Sequence, residues 1–209
     1  MFPGTLPDDT QNSLAILGKS KILDSAYLAG GSSLALQLGH RRSLDFDFFS
    51  KKEFDVKEIK KKLNKVGKYE KETETPKTMV GKFNNIKFSY FYYPYPLIKT
   101  TTKFLDINLA SKEDIAAMKL VAITDRGTKK DFIDLYFLAN RCFSFEEMFE
   151  FYNEKYKLLS SNLFTLIKSL QFYYDADNKE MPEMIEKVDW EKVKEFFRRE
   201  TVRIAKKHI

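Results

Sequence analysis

Apolar and polar positions change rhythm several times along the first hundred residues. Between 11 and 26, Leu14 and Leu17 lie three apart and Ile16 and Leu23 seven apart. That spacing predicts a helix, with Gly18 as a weak point inside it. Tyr27 to Ala29 reads as a short strand ending at Gly30-Gly31. Ser32 to Leu38 reads as a helix closed by Gly39, a residue that tolerates the left-handed C-terminal conformation. Ser43 to Phe49 reads as a strand. From Lys51 to Glu72, a thin apolar stripe of Phe54, Ile59, Leu63 and Val66 runs through nine lysines, which predicts a helix with a solvated basic face. Two strands, Thr78 to Phe83 and Ile86 to Tyr93, flank an Asn84-Asn85 turn. KFLDINLA, from Lys103 to Ala110, adds an edge strand. Helical spacing dominates afterwards, over 111–124, 130–140, 145–157, a long 160–174 and 189–206. The shift from β-rich to helical composition near Ser111 predicts an α+β chain: a mixed-sheet core over 1–110 and a helical C-terminal subdomain over 111–209.

Composition narrows the function classes. Of the 209 residues 43% are hydrophobic and 15% aromatic, enough to bury a real core. Cys142 is the single cysteine, so no intramolecular disulfide can form and a reducing compartment is expected. With only His40 and His208 beside it, a structural zinc site has too few soft ligands. Carboxylates are left as metal ligands, and they favour hard ions such as Mg2+. The start, MFPGTLPDDTQNSL, lacks the basic region of a secretory signal, and no apolar run approaches the roughly 20 residues needed to cross a bilayer. A cytoplasmic protein with no membrane partner is expected. The net charge of +6 favours phosphate-rich partners.

The chemistry concentrates in GGSSLALQLGHRRSLDFDFF, Gly30 to Phe49. Asp45 and Asp47, two apart on a strand, would share a face with Cα atoms roughly 6.5–7 Å apart. Among apolar neighbours such a pair needs a counter-charge. Either a divalent metal supplies it, or Arg41 or Arg42 does as a structural ion cluster. The Gly-Gly-Ser turn before the helix exposes backbone N–H groups at the positive end of the helix dipole, where phosphate binds. Ser32 and Ser33 add hydroxyl donors. A second motif, SKEDIAAMKLVAITDR, opens on a capping-box spacing, Ser111 to Asp114, and places Lys119 among Ile115, Ala116, Ala122 and Ile123. That lysine either snorkels from the helix edge or reaches an anion. In TDRGTKKDFIDLYFL, Asp131 and Asp134 share a helix face, and Lys130 is spaced to pair with Asp134. Arg126 and Lys129 are candidate phosphate contacts, with solvation the expected fate of Lys129. The aromatic YFYYPYP either stacks a base or packs the core.

Gly31-Ser32 followed by Asp45-Phe46-Asp47 resembles the signature of the DNA polymerase β-like nucleotidyltransferase superfold. The wider context, YLAGGSSLALQLGHRRSLDFDFF and AAMKLVAITDRGTKKDFIDLYFL, resembles the AbiEii/AbiGii nucleotidyltransferase toxins over roughly residues 25–140. The resemblance implies a nucleotidyltransferase-like mixed sheet whose helical C-terminal part completes the cleft. It implies that Gly31 and Ser32 hold the nucleotide phosphates; Gly30, Ser33, Arg42, Lys119 and Arg126 complete the candidate nucleotide-binding set. Asp45 and Asp47 would hold Mg2+ in a one- or two-ion site, with Mn2+ as a substitute. Lys119 would steady the triphosphate, and Asp131, from a K-D-x-x-D-L motif, would orient that lysine or act as base. The implied function is the toxin of a toxin–antitoxin or abortive-infection pair, moving a nucleotide from NTP to an RNA such as a tRNA 3′ end, with a cognate antitoxin as partner. One departure stands out. The third carboxylate of many such enzymes is absent, and the strand expected to carry it offers Ser89; Asp106 is the substitute within reach. A weak or inactive nucleotide- or RNA-binding module acting through a partner protein is the alternative.

Overall fold

A computed structural model describes residues 1–208, giving the backbone alone for Leu159, Ser160 and His208. The side chain of His208, weighed above as a zinc ligand, thus lies outside the described residues. The chain divides between Ser111 and Lys112 into two units.

In the N-terminal unit, β1 (Ala26–Leu28), β2 (Phe46–Ser50), β3 (Tyr69–Thr75), β4 (Thr78–Phe83), β5 (Ile86–Tyr92), β6 (Thr102–Phe104) and β7 (Ile107–Leu109) form one sheet, ordered β3-β4-β5-β2-β1-β7-β6. It is mixed. The β2–β5 and β1–β7 pairs run parallel, the others antiparallel. Along β2 the even positions Phe46, Phe48 and Ser50 are buried, while Asp47 and Phe49 are half-buried on the other face. The first face meets Leu14 and Leu17 of α1 (Asp8–Ser20) and Ile59 and Leu63 of α3 (Val56–Val66), with Phe88 and Tyr90 of β5. Fully burying side chains of this size contributes about 1.5–3 kcal/mol each. It is this packing that holds β2 as the central strand.

Several boundaries differ from the sequence reading. The first helix starts at Asp8 and ends at Ser20, where Lys21 turns left-handed with φ 55°. It passes straight through Gly18. A Cβ there would collide with the backbone carbonyl of Leu105, so the glycine serves a close approach and leaves the helix unbroken. The strand expected from Ser43 begins only at Phe46, which leaves Asp45 in the loop before it. Residues Tyr69–Thr75 form β3, an edge strand whose charged side chains stay largely exposed and so show no apolar alternation. KFLDINLA folds as the β6–β7 hairpin because Leu105 and Asp106 both take positive φ, 49° and 63°. The Asn84-Asn85 turn behaves as read, with φ 49° and 67°.

Beyond residue 111 the elements are α4 (Lys112–Asp125), α5 (Lys129–Arg141), α6 (Phe145–Tyr156), α7 (Leu159–Ser169), α8 (Tyr174–Asp177) and α9 (Trp190–His208). The long helix expected over 160–174 is thus two elements. α6 starts on a capping box, Ser144 with Glu147. α4 is buried on most sides and carries Asp114, which accepts from Lys155 of α6 at 2.7 Å with both side chains fully buried. The rings of Phe132, Phe145 and Phe197 complete the interior, with Phe197 edge-on to the other two.

Gly18→Ala should therefore destabilise the N-terminal unit by about 1–3 kcal/mol, the range for overpacking a closed site. Thermal unfolding beside the wild type would show this; an unchanged midpoint would contradict the close approach.

Candidate active site

In the N-terminal unit, α2 (Gly30–Leu38) begins where β1 ends, and its N-cap, Ala29, provides no side-chain acceptor for the first turn. The two glycines do different jobs. Gly30 has φ 64°, and a Cβ on it would lie 2.7 Å from Asp47 Oδ2. At Gly31 a Cβ would collide with the guanidinium of Arg41, itself 2% exposed, whose Nη1 donates to the Arg42 carbonyl at 3.0 Å. Glycine at 30 thus allows the Asp47 carboxylate to lie directly against the start of α2. Backbone bonding fixes the same approach, since Ala29 N–H donates to the Asp47 carbonyl at 3.0 Å.

Ser32 joins the halves of the motif. Its hydroxyl, 1% exposed, donates to the Asp45 carbonyl and lies 3.0 Å from Ser43 Oγ. Asp45 is thereby anchored through its backbone beside α2, with its side chain half-buried. Ser33 is fully buried, and its Oγ accepts from Gln37 Nε2 at 3.2 Å; the same amide donates to the Ala110 carbonyl at 2.9 Å. Both serine hydroxyls are thus engaged within the protein. The Arg42 side chain is exposed. Ser89 sits on β5 in register with Asp47 on the parallel strand β2, so both side chains leave the sheet on one face. A third carboxylate would have stood there. Among the described residues no cluster of three or more Asp, Glu, His or Cys side chains could hold a metal. Asp106, weighed as a substitute, lies in the β6–β7 turn at the far end of the sheet order.

The helical unit gathers a second set. Lys119 of α4, 5% exposed, reaches Asp131 Oδ1 at 2.9 Å and Asp134 Oδ2 at 2.6 Å on α5. Neither snorkelling nor a Lys130–Asp134 pair describes this: Asp134 engages Lys119, and Lys130 is exposed. Asp131 also accepts from Arg126 Nε at 2.9 Å, Arg126 Nη2 at 3.0 Å and Thr128 Oγ1 at 2.6 Å. Burial alone would raise its pKa. The Lys119 charge, with the donors of Arg126 and Thr128, overcomes that and holds the carboxyl well below the usual carboxylate range. Lys129 is not solvated as expected: it is 7% exposed, with its ammonium 5.2 Å from the centre of the Trp190 ring.

Thr128, Ser43 and the Asp114–Lys155 pair were missed in the sequence. For Thr128 a signal existed, since Thr128 to Asp131 has the spacing of a helix-start box. The other contacts join residues distant in the chain and had none.

The family model described as "Nucleotidyl transferase AbiEii toxin, Type IV TA system" matches residues 13–206. The chain belongs to the AbiEii nucleotidyltransferase toxin family. Membership makes it a nucleotidyltransferase of a toxin–antitoxin system, which implies an NTP substrate and an antitoxin. A relative, the uncharacterized protein aq_aa25 of Aquifex aeolicus (strain VF5), is 39% identical over 183 residues, covering 85% of this chain and 87% of its own. JHP933 from Helicobacter pylori has a similar structure, with TM-score 0.60 at 17% identity over 97% of this chain and 94% of that one. The nucleotidyltransferase toxin MenT4 of Mycobacterium tuberculosis H37Rv gives TM-score 0.54 at 12% identity, over 94% and 86%. At these identities the two structures establish a shared fold: the AbiEii chain has the nucleotidyltransferase-type mixed sheet. No helix among the described residues is long and apolar enough to cross a membrane.

A carboxylate with a depressed pKa stabilises the fold above about pH 4, the unfolded value, and that contribution is lost as pH falls below it. Wild-type melting temperature should therefore drop between about pH 5 and pH 2.5, and more steeply than that of Asp131→Asn. Calorimetry across that range checks it, and parallel profiles for the two proteins would refute the charge network.

Proposed function

We propose that the protein uses Mg2+ to transfer a nucleotide from NTP to an RNA acceptor, a tRNA 3′ end being the model substrate. The approach of the Asp47 carboxylate to Gly30 carries this reading: it sets a metal-binding acid against uncapped helix N–H groups suited to phosphate. The residues present fit a hard cation. Asp45 and Asp47 carry half-buried carboxylates with oxygen donors, and glycine at 30 lets Asp47 Oδ2 approach the start of α2 with no Cβ in the way. Bound there, Mg2+ would neutralise triphosphate charge and favour departure of pyrophosphate, and Mn2+ has the same preference for oxygen.

The chain's own residues supply orientation. Backbone N–H groups of Gly30, Gly31 and Ser32 receive phosphate oxygens, while the buried Ser32 hydroxyl holds Asp45 in place. Arg42 is assigned to the phosphates in the N-terminal unit; in the helical unit, taken by itself, Lys119 and Arg126 are the cations assigned to nucleotide. Asp131 is assigned as the positioning partner of Lys119. With its carboxyl buried, ionised and saturated by donors, it is poorly suited to accept a proton. The acceptor hydroxyl oxygen bonds to the α-phosphorus, the α–β bridging bond breaks, and the hydroxyl proton leaves to solvent. Ser89 beside Asp47 favours a second reading, a slow or non-catalytic nucleotide-binding protein of the same fold. NTP and tRNA both place the reaction in the cytoplasm.

Asp47→Ala should cut transfer of label from α-labelled NTP into RNA by about a hundredfold to a thousandfold, and should abolish Mg2+-dependent stabilisation by NTP, with the apo protein still folded. Wild-type rates in that variant would overturn the site. Nucleotide binding by the wild type with no pyrophosphate release would favour the second reading.

A further inference from the structure

Helix α3 carries Lys57, Lys61 and Lys65 at four-residue intervals, a row stepping about 6 Å along the axis each time. All three are exposed, on the side opposite Ile59 and Leu63, which are buried in the core. The arrangement works against the helix. Like charges four apart repel, and Lys57 stands in the first turn, at the positive end of the dipole. Neighbouring lysines are neutralised instead. Lys62 pairs with Glu58, the only acid of α3, at 2.6 Å; Lys60 and Lys71 pair with Glu74 at 3.3 and 3.7 Å; Lys68 pairs with Glu70. The row itself has no acidic partner among the described residues.

We propose that this row is a docking strip for the phosphate backbone of the RNA acceptor, an assignment that rests on the RNA reading above. Evenly spaced cations along one line suit the succession of phosphates on a strand. A protein partner fits less well, because the centres of protein interfaces are depleted in lysine and enriched in aromatic residues, whereas the apolar side chains of α3 turn inward. α3 packs against the sheet face bearing Phe46, Phe48 and Phe88, the face opposite Asp47 and Ser89. The strip therefore governs RNA affinity and leaves the chemistry of the acid pair unchanged.

The test compares full-length wild type with the triple variant Lys57→Gln/Lys61→Gln/Lys65→Gln and with the corresponding triple Arg variant, using fluorescent unfractionated tRNA over a KCl series. At about 100 mM salt the Gln variant should bind about tenfold or more weakly, with a log–log salt slope shallower by about 2 to 3. The Arg variant should bind like wild type. In turnover the Gln change should raise KM for RNA and spare kcat, with NTP–Mg2+ thermal shifts unchanged and melting temperature equal or higher. Wild-type affinity and slope in the Gln variant would overturn the strip. Selective loss of binding to poly-L-glutamate, with tRNA binding intact, would overturn its assignment to RNA in favour of an acidic protein. If the wild type binds no tRNA while NTP still shifts its melting, the RNA reading fails and the strip with it; if tRNA binds but the Gln change has no effect, only the strip fails.

Discussion

The candidate site of the N-terminal unit depends on a missing atom. Were residue 30 anything but glycine, a Cβ would stand 2.7 Å from Asp47 Oδ2, and the left-handed backbone at φ 64° would be strained as well. Its absence lets an acid on the central strand and the start of a helix occupy adjacent space. Ala29 and Ser32 lock that approach from either side, one through the backbone of Asp47 and the other through the backbone of Asp45. The backbones of the acid pair are therefore held by hydrogen bonds from α2 and its N-cap.

The helical unit solves the opposite problem. Its charges are buried and satisfied among themselves, with Lys119 between two aspartates and Lys155 against Asp114. Charges this deep are costly to strand, because removing one partner leaves the other desolvated, typically at about 3–5 kcal/mol. Fixed geometry is what such a cluster offers a lysine. Its ammonium has little freedom left, so any anion it meets finds it already oriented.

What could be read from the sequence followed the range of the interactions. The glycine turn, the acid pair and the helix closed by Gly39 are local patterns, and the fold class followed from them together with the switch from strand to helix spacing. β3 escaped notice because an edge strand exposed on most positions needs no apolar alternation; pairing with β4 makes it a strand. The β6–β7 turn escaped because Leu105-Asp106 lacks the Asn or Gly that usually announces two positive φ values. Lys119 meeting Asp134, and Lys129 lying over Trp190, join residues far apart in the chain. No windowed pattern contains that information.

The sheet order has a consequence for synthesis. β1 carries the turn that leads into α2, yet its second neighbour is β7, paired through Leu28 and Leu109, and α1 closes against Leu105 beside it. Until the segment around residue 110 has left the ribosome, one flank of β1 is an open edge, and Gly18 of the first helix lacks the Leu105 backbone it packs against. A truncated nascent chain would carry every residue of the acid pair and the glycine turn without the frame that aligns them. For a toxin, competence thus cannot arrive before the sheet's final strand, Ile107–Leu109, has been made.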